Sequence, residues 1–463
     1  MHILLEKFKT PYEAIPFDKI KEEDYKPAFE KAMEIAKNRV KSMIDSEEKP
    51  SFENFILPLE KATWELDQVS SIFFNLCSAE TNDFLENLQA EIAPVLSNFT
   101  NDLFLNPDLF KKVKEVYDKE WEQLKDAEDK KLLEENYLFF VRNGALLDKE
   151  DQEQLKQIDE KLSLLAVQFS QNVLKETNAY YLHINKEEDL AGLTEDYKKQ
   201  AAKEAKDRGK EGWIVTLDYP SYMPFMTYAE NRALRKELSL AMGQRAYKNN
   251  EQNNEEIIKK IVQLRKERAK LLSYDNFAAY VLEKRMANSP DEVMQFLLTL
   301  KNKAAKAAKR DYNALKEIAE VEELKAYDHA FYAEKLRIKN YNISDEILKP
   351  YFSLENVKNA AFDLAYKLFD FKFQPLKDIP VYHKDVEVYE VLESGVHKGL
   401  LYMDWHPRKG KRAGAWMTSF KGQFKDEEGK NHRPHVAIVC NFSKPTENKP
   451  SLLTFNEVTT LFH

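Results

Sequence analysis

Histidine is the side chain best suited to hold a transition metal or pass a proton near neutral pH, and two places in this sequence set one where that chemistry is conceivable. His432 and His435 stand three apart beside Asp426, Glu427 and Glu428, a donor set that would suit zinc if the loop folded it together. The competing reading is that both are exposed residues of a polar hairpin connection, with His435 merely entering the strand that follows. His463 closes the run KPSLLTFNEVTTLFH. As a single histidine on a helix face, its spacing assigns it only packing or a surface position. Other chemistries are excluded by motifs the sequence lacks: there is no G-x-S-x-G elbow and no G-x-G-x-x-G, and Gly410-Lys411-Arg412 has neither the glycine spacing nor the Ser or Thr of a phosphate loop. Cys77 and Cys440 lie far apart in apolar runs (SIFFNLCSAE and VAIVCNF), where buried, inert thiols are expected and no disulfide framework is possible.

The elements that must position such residues are mostly helical. A chain of 463 residues, 43% hydrophobic and 12% aromatic, can bury a large core as two or three domains or one large one. Eleven glycines and seventeen prolines among abundant Lys, Glu, Leu and Ala favour helix over strand. From Ile20 to about Leu300 the apolar residues recur at three and four spacing, with punctuation that fits helix ends. Ser289-Pro-Asp-Glu predicts a helix start with Glu292 closing a capping box, followed by Val293, Phe296, Leu297 and Leu300 on one face. Another helix is expected from Ser353, with Val357, Ala361, Leu364 and Leu368 as a core stripe. KNKAAKAAKR, residues 301–310, reads as a solvated helix face.

After Pro380 the period shortens. Residues 386–391 alternate, Ser394-Gly395 makes a turn, Gly399 to Trp405 resumes an extended run, and Ala415 to Phe420 and Val436 to Phe442 add two strands across the polar loop 421–434. Thr454-Phe-Asn-Glu then opens a final helix through another capping box. The sequence ends nine residues into that helix with no Gly, Asn or Pro stop signal, which suggests a fragment. The fold class expected is therefore mainly α with a small sheet near the C-terminal end. A formal charge of −9 disfavours nucleic acid and anionic membranes as partners. No apolar run approaches membrane-spanning length and MHILLEKFKTPYEAIPF has no signal-type core, so the cytoplasm is the expected compartment.

Five blocks spread from end to end resemble segments of zinc metallopeptidase family M3, the thimet oligopeptidase, oligopeptidase A and peptidyl-dipeptidase family. They are YEAIPFDKIKEEDYKPAFEKAM, LRKERAKLLSYDNFAAYVLEKRMANSPDEVMQFL at 264–297, YFSLENV at 351–357, GLLYMDWHPRKGKRAGAWMTSF at 399–420 and RPHVAIVCNFSKP at 433–445. The last residues, KPSLLTFNEVTTLFH, resemble the approach to that family's H-E-x-x-H helix.

This resemblance implies a zinc-dependent hydrolase of short unstructured peptides, in which two histidines one helical turn apart and a downstream glutamate hold Zn2+ and a Glu acts as general base. His463 would be the first metal ligand, and the Glu that should follow it is not in this sequence. No catalytic residue can be assigned within these residues, which are expected to be inactive alone and not to retain zinc. Gly414, Ala415, Trp416 and Met417 would form an exposed edge strand that pairs with the substrate backbone. The other reading of that segment is a hairpin turn with a buried Trp416. Asp404, Arg408, Lys411 and Arg412 recur in the resembling block and could contact substrate or anchor the loop. Residues 1–380 would wall a narrow channel and residues 381–463 begin the catalytic region, in a protein expected to be monomeric. The rival is a non-catalytic helical module that keeps a peptide groove without a metal centre, and a purely helical scaffold lacking the exposed 414–417 edge is a third reading.

Overall fold

The computed structural model describes residues 2–426, 428–446 and 449–463. The chain folds as two compact units, Met1–Gln171 with Asn254–Val293, and Asn172–Asn253 with Met294–His463. Among the described residues no helix is long and apolar enough to cross a membrane.

The first unit is helical, and its helices form where the three and four spacing predicts them. Helix Tyr25–Asp45 buries Tyr25, Ala28, Phe29, Ala32, Met33, Ala36 and Val40, a single stripe of a 3.6-residue period. Phe52, Ile56, Leu109, Val113 and Phe140 join Val40 in one apolar core. Burial of this kind contributes about 25 cal/mol per Å² of apolar surface, the main force holding these helices together.

The second unit carries the sheets. Strands β1 (Tyr181–Ile184) and β2 (Trp213–Thr216) pair antiparallel, within a stretch expected to be helical throughout. Further along the chain come β3 (Phe371–Leu376), β4 (Val386–Glu393), β5 (Val396–Asp404) and β6 (Trp416–Lys421). A two-stranded ribbon of β7 (Phe424–Lys425) and β8 (Asn431–His432) follows, and then β9 (His435–Val439). Five of these strands form the larger sheet, in the order β3-β4-β5-β9-β6. The sheet thus begins at Phe371 rather than after Pro380. Pro375 inside β3 is tolerated because β3 is an edge strand, where a missing N–H need not break a ladder. β4 and β5 form a hairpin whose turn residues Ser394 and Gly395 both have positive φ, 49° and 80°, the twist that two-residue hairpins favour. β9 inserts between β5 and β6, parallel to the first and antiparallel to the second.

On one side of this sheet Tyr389, Leu401, Met403, Trp405, Cys440 and Phe442 pack with Val357, Phe362 and Leu453, and Val458 and Leu461 of the last helix join them. Phe362 stacks on Phe373 of β3 with centroids 4.0 Å apart.

One helical stripe departs from expectation, and a second apolar face is left uncovered. On helix Leu354–Phe369 only Val357 of the predicted stripe is buried, while Leu364 and Leu368 are 43% and 63% exposed. On helix Pro290–Ile318 Phe296, Leu297 and Leu300 are 63%, 50% and 48% exposed. Apolar periodicity identifies a face that prefers to be covered and says nothing about whether these residues cover it. Residues 301–310 are exposed along the same helix, as expected. At its start the Ser289 hydroxyl accepts from the Glu292 N–H as predicted, but the Glu292 carboxylate accepts from Asn288 N–H, one residue short of a true box.

Candidate functional site

β6 is the last strand of the sheet, with β9 as its neighbour in the ladder; Trp416 lies opposite Val439 and Met417 opposite Ile438. Of the predicted segment, Trp416 and Met417 are in the strand, and Gly414 and Ala415 form its approach. Met417 is 70% exposed and Trp416 is half-buried rather than buried, with the Arg412 guanidinium over its ring at 4.7 Å. Gly414 has φ +103°, a conformation L side chains rarely adopt, and a Cβ there would meet no heavy atom within 4 Å. Among the described residues, the space a Gly414 side chain would fill is therefore empty.

The loop 405–415 that delivers this edge is held from inside by a buried charge cluster. Asp404 ends β5 and is fully buried. Its Oδ1 accepts from Arg408 Nη1 at 2.7 Å and Lys411 Nζ at 2.8 Å; its Oδ2 accepts from Arg408 Nη2 at 2.7 Å and the Tyr382 hydroxyl at 2.8 Å. Lys411 Nζ donates further to the carbonyls of Asp404 at 3.0 Å and His406 at 2.9 Å, so its three protons are all used. Burial pulls the Lys411 ammonium down to about 8 against the opposing pull of Asp404. Burial also works to raise the Asp404 carboxyl, but Arg408 and Lys411 outweigh it and hold the group below the usual carboxylate range. Asp404, Arg408 and Lys411 thus anchor the loop. Tyr382 was not anticipated, since its contact crosses from the segment before β4 and no spacing announces it.

The hairpin histidines are buried, not exposed. His432 stacks on Phe424 with centroids 4.5 Å apart, and its Nε2 lies 2.7 Å from Asp426 Oδ2. His435 enters β9 as expected and is 1% exposed. Glu427 of the predicted donor set lies outside the described residues. Cys440 is buried, whereas Cys77 is only partly so; both are free, and burial pushes each thiol up to about 12, which keeps it protonated and unreactive at neutral pH.

The last helix, Phe455–Phe462, starts as its sequence predicts: the Thr454 hydroxyl accepts from Glu457 N–H, and Glu457 Oε2 accepts from Thr454 N–H at 2.7 Å. Glu457 is buried because Oε1 also accepts from Ser443 N–H at 2.7 Å, tying the helix start to the segment after β9. His463 caps the other end, exposed, its N–H donating to the Thr459 carbonyl at 3.0 Å. Catalytic zinc takes three protein ligands and keeps one position open. Among the described residues no group of three or more His, Cys, Asp or Glu side chains comes together, and none of the nine histidines is followed by Glu. These residues do not by themselves fit a zinc ion.

Residues 225–463, which include the sheet, the anchored loop and the last helix, match the model of Peptidase family M3. Over its whole length the chain is 33% identical to the dipeptidyl carboxypeptidase of Escherichia coli (strain K12), covering 69% of that protein. It is 32% identical to oligopeptidase A of the same organism across 98% of the chain and 68% of the relative. It is 30% identical to saccharolysin of Saccharomyces cerevisiae across 90% of the chain and 60% of the relative. A family match over more than half the sequence and a relative aligned end to end agree, and the chain belongs to the M3 family of peptidases.

Proposed function

We propose that this chain forms the peptide-binding part of a zinc-dependent oligopeptidase or peptidyl-dipeptidase that degrades short unstructured peptides. The relatives named dipeptidyl carboxypeptidase and oligopeptidase A support the substrate class. In this reading a peptide lies along β6 and adds a strand to the sheet, with Gly414, Ala415, Trp416 and Met417 in contact with its backbone. Main-chain pairing grips any sequence, which suits an enzyme that reads peptide length and ends more than side chains. An extended chain can add a strand in this way and a folded one cannot. His463 would be the first of the metal ligands, and zinc held by a full set would supply an activated water. The protein acts as a monomer in the cytoplasm.

The observation that carries this reading is that the last strand of the sheet, β6, and the helix ending in His463 are joined through β9, with Ile438 of β9 packed in the same cluster as Val458 and Leu461. The test is a free-ended decapeptide incubated with the 463-residue chain, with and without a zinc chelator, its products read by mass spectrometry. The peptide is expected to bind and stay intact. Chelator-sensitive cleavage would show that these residues complete a zinc site, overturning the assignment of His463 as the single ligand they contribute. No binding at all would remove the peptide edge.

A further inference from the structure

β5 and β6 flank β9 at the same point: Asp404 and Trp416 both lie opposite Val439, one on each side. The loop 405–415 therefore has to cross the end of β9, and where it crosses decides how the edge is presented. The buried Asp404, Arg408 and Lys411 cluster holds the near side of that crossing. The far side is held by Asn441. Two residues beyond the end of β9, it donates from Nδ2 to the carbonyl of Gly414 at 2.7 Å and to that of Arg412 at 3.0 Å. Both protons of the amide are spent on the loop, and two carbonyl acceptors fix which end of the side chain faces it. Asn441 itself is kept in place by its neighbours: Cys440 N–H donates to the Asp404 carbonyl at 2.7 Å, and Phe442 N–H to the Trp405 carbonyl at 2.8 Å. Gly414 needs such a tie more than most residues, since at φ +103° and without a Cβ contact its own conformation is weakly determined.

We infer that Asn441 is a positioning residue for substrate: its amide clamps the carbonyls of Arg412 and Gly414 so that the β6 edge meets the peptide backbone in a fixed geometry. This rests on the assignment of residues 414–417 as the peptide-binding edge. Arg412 over Trp416 is set by the same clamp, so one side chain fixes both the backbone approach and the ring beside it.

The test uses the whole chain, a fluorescein-labelled decapeptide read by anisotropy, and hydrogen exchange read by mass spectrometry. Asn441→Asp keeps the shape but has no donor to offer, and Asn441→Ala removes the group. Loss of two hydrogen bonds at a partly exposed site predicts exchange about ten-fold faster at residues 412–417 and peptide affinity about ten-fold weaker in both variants, with residues 396–404 unchanged. If the unaltered chain binds the peptide and both variants bind it equally well, the positioning role is wrong while the peptide edge stands. If the unaltered chain does not bind, the edge assignment itself fails and takes this inference with it. Weaker binding with faster exchange throughout β5 and β9 would mean general destabilisation, and would also count against the clamp.

Discussion

Replacing Lys411 by Met and Asp404 by Ala should have very unequal costs, although the two groups form one buried ion pair 2.8 Å apart. Asp404→Ala leaves two cations, Arg408 and Lys411, buried without their carboxylate, and breaking a buried pair in that way costs about 3–5 kcal/mol. Lys411→Met leaves Asp404 still bound by Arg408 at both oxygens and by Tyr382. It also removes an ammonium that burial penalises even with Asp404 beside it, since the group falls from 10.5 to about 8, so the loss of its hydrogen bonds is partly offset. The net cost of Lys411→Met is therefore about 1 kcal/mol. Urea unfolding at pH 7, followed by tryptophan fluorescence, reads the difference, since Trp405 is 2% exposed next to the cluster. A pH series gives an independent reading. Between about 8 and the ordinary lysine range the folded state has released the Lys411 proton while the unfolded chain keeps it, so the contribution of Lys411 to stability rises with pH in that window. Lys411→Met should remove that contribution, making the slope of stability against pH more negative than in the unaltered chain. Equal costs for the two substitutions, or an unchanged slope, would refute this account of the cluster.

Exposure and capping give further expectations. Val357→Ala, at a 4% exposed core site, should cost about 2 kcal/mol, whereas Leu368→Ala on the same helix, 63% exposed, should change stability by less than about 0.5 kcal/mol in the same urea assay. Glu457→Ala removes the acceptor of Thr454 and Ser443 N–H groups and should cost about 2 kcal/mol. Acid unfolding should report Asp328: burial works to raise its carboxyl, but Arg232, the Lys325 N–H and Arg235 outweigh it and hold it below the usual carboxylate range. Its contribution is thus present above the ordinary Asp value and lost as pH falls below it, so Asp328→Asn should flatten the acid limb of stability against pH.

Much of this fold is legible in the sequence because helices advertise themselves by period. The stripe of Tyr25–Asp45 and the box at Thr454 are visible as patterns and fold as such. The alternation at 386–391 and the Ser394-Gly395 turn likewise mark the β4–β5 hairpin. What escapes is short or depends on tertiary contact. Trp213–Thr216 has strand-type residues after a glycine, but four residues are too few to stand out from helical surroundings. Pro375 hides β3, because a proline argues against a strand until its edge position is known. The candidate site divides in the same way. Gly414 to Met417 and His463 are singled out by family resemblance and not by their types or spacing. The bonds that hold the edge, from Tyr382 to Asp404 and from Asn441 to Gly414, join residues 22 and 27 positions apart and have no local signature. His432 and His435 looked like surface residues because polar neighbours say nothing of the Phe424 ring and sheet that bury them.

Whether a peptide adds a strand at β6 is tested most directly by hydrogen exchange of the 463-residue chain with and without a saturating free-ended decapeptide, with amide protection read segment by segment. Slower exchange on peptide addition, concentrated in residues 414–421, is the predicted result. Protection confined to other segments, or none in a chain that demonstrably binds the peptide, would contradict it.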